Sequence, residues 1–76
     1  MSASPTDIRE SAALQYEAAA AELERAAAHL RITAKHFRAA DVPRGCAHTF
    51  AAIGHLSNVQ QQINSLAALH ATKAQL

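Results

Sequence analysis

Tryptophan is absent, and Tyr16, Phe37 and Phe50 are the only aromatic side chains in 76 residues. A core built on large rings is excluded. Half of the residues are hydrophobic, but alanine supplies much of that, so any core is thin. The single cysteine, Cys46, rules out an intrachain disulfide. A lone thiol reads as a small buried apolar residue of a reducing cytoplasm, or as one half of a bridge between two chains. No apolar run approaches the roughly 20 residues of a membrane span, and Met-Ser-Ala-Ser-Pro-Thr-Asp at the start has no charged segment leading into an apolar one. A cytoplasmic location without membrane attachment is the expectation. Neither sign of charge dominates: the net charge is +1 with histidine neutral, which argues against both a strongly basic nucleic-acid binder and an acidic tail.

Glycine and proline, two of each, are scarce enough that their positions set the architecture. Between Pro5 and Ala40 neither occurs, so that span reads as one helix. Ser4 fits as its cap, with Pro5 in the first helical position and Asp7 completing a capping box; residues 1–3 are expected to be disordered. The stretch Ala39-Ala40-Asp41-Val42-Pro43-Arg44-Gly45 then breaks the pattern. Pro43 lacks an amide hydrogen and clashes with a preceding turn, so an arriving helix stops near Ala40 while a departing one carries Pro43 at its start. Either Asp41 or Val42 caps that second helix. The expected layout is an all-α, two-helix antiparallel hairpin in a single domain over 1–76, with helices at about 5–40 and 44–73, a turn at about 41–43, and dimerisation into a four-helix bundle.

Dimerisation follows from size. Two helices side by side leave at least half of each circumference uncovered, and a core this small supplies only about 3–5 kcal/mol. In the first helix Tyr16, Leu23, Leu30 and Phe37 recur at one heptad seam position, with Ala12, Ala19, Ala26 and Thr33 at the other. Beside them runs a column of Ala13, Ala20, Ala27 and Ala34, smooth enough for another helix to approach toward the low end of about 8–10 Å. In the second helix Thr49, Leu56, Ile63 and His70 take one seam position and Ala52, Val59 and Leu66 the other. No charged residue occurs between Gly45 and Thr72. The outer face with Ala47, Phe50, Ala51 and Gly54, beside Ile53, therefore reads as a second packing surface in a homo-oligomer. A mid-helix glycine such as Gly54 marks close backbone approach when its cost of about 1 kcal/mol is tolerated. A neutral, glutamine-rich surface that is merely soluble is the plain alternative.

Charge along the first helix follows its dipole. Asp7, Glu10, Glu17, Glu22 and Glu24 precede Arg25, Arg31, Lys35 and Arg38. The basic cluster Arg31, Lys35, Arg38 and Arg44 at the hairpin tip is a candidate anion-contacting patch, and a weak version of a nucleic-acid surface.

The most specific pattern is in the histidines. His29 and His36 are seven residues apart on the first helix, and His48 and His55 seven apart on the second. Folding the chain back near residue 42 sets His36 opposite His48 and His29 opposite His55. Facing imidazoles are candidate ligands for zinc, copper or nickel. One pair supplies too few ligands, since a closed zinc site takes about four and a catalytic one about three. No carboxylate sits three or four residues away on the same face, and Cys46 projects from the other edge of the groove. A metal set of His29, His36, His48 and His55 would need a second hairpin. Without metal, rings beside an alanine seam pack on apolar neighbours and hydrogen-bond, and they remain sensitive to acid.

The segment from His29 to Asp41, together with Cys46-Ala47-His48 and Ala51-Ala52-Ile53-Gly54-His55-Leu56, resembles a group of small histidine-rich bacterial helical-hairpin proteins of uncharacterised function. The resemblance covers residues 29–56 and implies the hairpin fold rather than an activity. That group doubles many of its histidines, whereas here Leu30, Phe37, Thr49 and Leu56 follow single ones. In architecture the chain is also similar to the hairpin subunits of small RNA-binding four-helix dimers. Catalysis is not expected: there is no acid-base pair, no nucleophile with a positioned base and no phosphate-cradling glycine loop. A structural or protein-interaction module needs only two capped helices, a tight turn and spare apolar faces.

Overall fold

The computed structural model describes the backbone of residues 5–73 and the side chains of residues 7–72. Helix α1 spans Pro5–Arg38 and helix α2 spans Val42–Lys73, folded back on each other as a hairpin with no strand among the described residues. The cap expected at Ser4 lies outside the described residues, as does the disorder expected of residues 1–3.

α1 ends two residues before Ala40, and α2 begins two residues before Arg44. Both differences come from the turn. Ala40 is left-handed, with φ 59°, and the amides on either side satisfy the last carbonyls of α1: Ala40 N donates to Phe37 O at 3.0 Å and Asp41 N to His36 O at 2.8 Å. This is the paired closure that usually takes glycine at the left-handed position. Asp41, not Val42, is then the cap of α2. Its carbonyl accepts from Gly45 N at 3.1 Å, its Oδ1 from Arg44 N at 3.4 Å, and its Oδ2 lies 3.4 Å from Arg44 Nε. Pro43 falls in the first turn, where a missing N–H costs no intrahelical bond. A non-glycine residue in the left-handed region costs about 1–2 kcal/mol, partly offset by the extra freedom glycine brings to the unfolded chain. Ala40→Gly is therefore expected to stabilise the hairpin by about 0.5–1 kcal/mol, read as a higher urea midpoint at unchanged slope; a lower midpoint would show that the turn is not strained.

The closest packing runs along small residues. Ala19 and Ala26 of α1 and Ala52, Val59 and Leu66 of α2 are the buried apolar side chains, and Gly45 is buried with them. Side-chain size grows along α2 from Gly45 through Ala52 and Val59 to Leu66, which suits helices that meet most tightly beside the turn. Of the two seam columns expected in each helix, only the smaller forms the centre. Tyr16, Leu23, Leu30 and Phe37 are left half exposed along one edge, as are Leu56 and Ile63. The reason is steric: alanine against alanine lets the backbones approach, and large side chains can then fit only at the flank. Gly45, not Gly54, marks the close approach. A methyl group at Gly45 would stand 2.7 Å from Cδ2 and Cε2 of Phe37, whereas one at Gly54 would meet nothing within 4 Å.

Hydroxyls close the turn end. Thr33 Oγ1 lies 3.1 Å and Thr49 Oγ1 3.0 Å from the Gly45 carbonyl, and the two hydroxyl oxygens are 3.3 Å apart. Each hydroxyl has one proton, so two of these three bonds are made at a time. The hairpin measures 56 × 24 × 18 Å with a radius of gyration of 17.4 Å, against about 11 Å for a compact chain of this length.

Candidate functional site

The two edges of the hairpin differ in chemistry. Opposite the apolar edge, a heptad column of Glu22, His29 and His36 on α1 faces His48 and His55 on α2. The four rings touch in one continuous row, stacked at His36–His48 and His29–His55 and tilted at His29–His48. His36 lies against His48 with ring centroids 5.4 Å apart, His48 against His29 at 5.2 Å, and His29 against His55 at 5.3 Å. The expected pairs, His36 with His48 and His29 with His55, are thus in ring contact. An offset between the helices interleaves them, so that His29 also meets His48, with their Nδ1 atoms 2.9 Å apart.

That nitrogen pair fixes protons. A hydrogen bond between two ring nitrogens needs one N–H donor and one bare acceptor. His29 and His48 therefore hold unlike Nδ1 states, and at least one of the two rings is neutral while the bond is made. At the far end of the stack His55 Nδ1 donates to Glu22 Oε2 at 2.5 Å. Glu22 also accepts from Asn58 Nδ2 at 3.5 Å through Oε1 and lies 3.7 Å from Arg25 Nη1.

Although no carboxylate sits three or four residues from these histidines along their own helices, Glu22 reaches His55 from the facing helix. Counting three and four residues along one helix missed it. The signal was present one heptad before His29, in the same column, and across the groove from His55. Its carboxyl is held below the ordinary value of 4.5, first by the hydrogen bond from His55, then by the charge of His55 and the contacts with Asn58 and Arg25, against an opposing push from partial burial. For a depressed carboxyl the stabilisation is complete above 4.5 and is lost as pH falls through the lower folded value. Glu22→Gln is accordingly expected to lower the urea midpoint at pH 6, with the gap from the parent chain closing as the pH falls below 4.5. A gap that stays constant through that fall would show that the Glu22 charge does not matter.

The arrangement is a line rather than a cage. Among the described residues no group of three or more His, Cys, Asp or Glu side chains is placed to hold a metal ion. The Nδ1 atoms of His29 and His48 are turned on each other, and that of His55 on Glu22. Cys46 is exposed, against the expectation of a buried thiol. A shallow polar notch lined by Glu22, Asn58, Gln61, Gln62 and Ser65 continues the edge beyond the stack.

The residues expected to form an oligomer interface fall into two groups. Ala13, Ala20, Ala27 and Ala34 flank the apolar edge on α1, and Ile53 flanks it on α2. Ala47, Phe50 and Gly54 lie on the back of α2, where Phe50 is 73% exposed, and Ala51 is half-buried towards the histidine edge. At the tip Arg31, Lys35, Arg38 and Arg44 are all exposed, and Arg44 is the one joined to a carboxylate, that of Asp41. No helix of the described residues is long and apolar enough to cross a membrane. No protein-family model, curated protein or solved structure matches the chain.

Proposed function

We propose that the chain is a self-associating helical protein, a structural or protein-interaction module whose simplest form is an antiparallel four-helix dimer. The carrying observation is its surface. The hairpin exposes 5935 Å², whereas a folded monomer of this mass exposes roughly 4,500 Å². The excess of roughly 1,400 Å² is the amount one subunit gives up in an obligate dimer, whose interfaces total about 2,000–5,000 Å². The buried side chains support the same reading, being mostly alanine and too few to hold two long helices together alone.

Binding of zinc, copper or nickel by the histidines is the alternative the sequence raises, and it requires the histidine edges of two copies to meet. The ring nitrogens that face each other within one hairpin speak against it, as does the apolar edge, which has the stronger need for cover and lies on the opposite side. Nucleic-acid binding at the tip rests on exposed cations alone, and no specific contact favours it.

Association can be tested by heat. A chain whose folding is coupled to dimerisation has an unfolding midpoint that rises with protein concentration. The expected result is such a rise, together with loss of helicity on dilution. A sharp midpoint independent of concentration would remove the reading.

A further inference from the structure

We infer that the second copy docks on the apolar edge, related by a two-fold axis that passes beside α1 at Ala27 and beside α2 at Ile53, so that both histidine stacks face outward. This rests on the self-association proposed above and adds where the partner sits. The six large side chains of the edge, Tyr16, Leu23, Leu30, Phe37, Leu56 and Ile63, are 41–55% exposed. Each has one flank against the neighbouring helix and the other open, which is the state of a bundle core with half of the bundle removed.

The occupant is a second copy because the edge complements itself. An isologous interface brings a residue near the axis against its own counterpart and exchanges residues on either side of it. Reversing α1 about Ala27 sets Ala27 on Ala27 and Ala20 on Ala34 and, to within one residue, Leu23 level with Leu30 and Tyr16 level with Phe37. Small residues thus line the α1 contact, and the large ones fill the centre between four helices. Charges outside the apolar strip agree. The same reversal places Glu24 beside the partner's Arg31, and Glu17 beside the partner's Arg38. All four side chains are exposed and have no ion-pair partner among the described residues.

α2 accommodates the same axis. Reversing it about Ile53 sets Thr49 level with Leu56 and Cys46 near Gln60. Within one hairpin, the contacts of Thr33 with Thr49, His29 with His48 and Glu22 with His55 put Ala27 and Ile53 at nearly the same height. One axis therefore serves both helices. Every neighbouring pair in the resulting square of helices is antiparallel, the arrangement of four-helix bundles.

Disulfide trapping tests this placement. In a Cys46→Ser background, Ala27→Cys is expected to cross-link to its own counterpart under mild diamide oxidation, since a residue on the axis brings its two copies within bridging distance. Gly54→Cys, level with the axis but on the back of α2 where an added side chain meets nothing within 4 Å, is expected not to. A charge series gives the second readout. Glu24→Arg and Arg31→Glu are each expected to weaken the dimer severalfold at low salt, and the double exchange to restore it; Leu23→Glu is expected to weaken it at least tenfold. A chain that dimerises but traps through Gly54→Cys and not Ala27→Cys, with Leu23→Glu without effect, would overturn the placement and leave self-association standing. A chain that stays monomeric at all concentrations would overturn both.

Discussion

Ala52→Leu is expected to be the most damaging single enlargement, costing about 1–3 kcal/mol or more. Ala52 is 1% exposed and sits at the middle of the contact between the helices. Its methyl group leaves no room for three further carbons, so the side chain either pries α2 from α1 or leaves its rotamer. Against the roughly 3–5 kcal/mol a core this small provides, that is most of the stability. Urea denaturation followed by helicity should show the midpoint collapse, while Ala47→Leu on the exposed back of α2 should stay within about 0.5 kcal/mol of the parent chain. Equal effects at the two positions would mean that the helices do not meet where they are placed.

Leu66→Ala is the complementary loss. Leu66 is the largest of the buried side chains and is 7% exposed. Removing a buried leucine costs about 2–5 kcal/mol through lost transfer energy and the cavity left behind. The value should fall toward the lower end, because Leu66 borders the open notch with Ile8, Ala12 and Leu69, where neighbours can close in. Leu14→Ala, at a side chain 57% exposed on the far side of α1, should cost less than about 0.5 kcal/mol. A small loss at Leu66 with a large one at Leu14 would invert the assigned inner face of the hairpin.

The turn and the two helices were legible because proline and glycine act locally: Pro43 stops one helix and starts another wherever the rest of the chain lies. The facing of the histidines was legible too, since a hairpin reflects one heptad column onto another. The column that forms the centre was not. Ala12, Ala19 and Ala26 alternate with Tyr16, Leu23 and Leu30 in a stripe wide enough for two neighbours, and periodicity alone does not say which neighbour takes which half. Gly54 misled for a related reason, because a glycine in the sequence shows a permitted approach and only the fold shows whether anything comes near. The left-handed Ala40 gives no compositional signal, as alanine is the residue that most favours continuing a helix. Glu22 was missed because its partner lies across the groove and not along its own helix.

Much of this chain's design rests on what is half covered. The histidine edge satisfies itself, with each ring in contact and the last one bonded to Glu22. The apolar edge does not, and an alanine seam brings the helices together without sheltering it. The mass in solution tests this most directly. Sedimentation equilibrium of the untagged chain at neutral pH, over a hundredfold range of concentration, should give twice the 8.1 kDa chain mass, falling toward the monomer only as helicity is lost. A stable, fully helical species of 8.1 kDa that unfolds cooperatively across the whole range would contradict it.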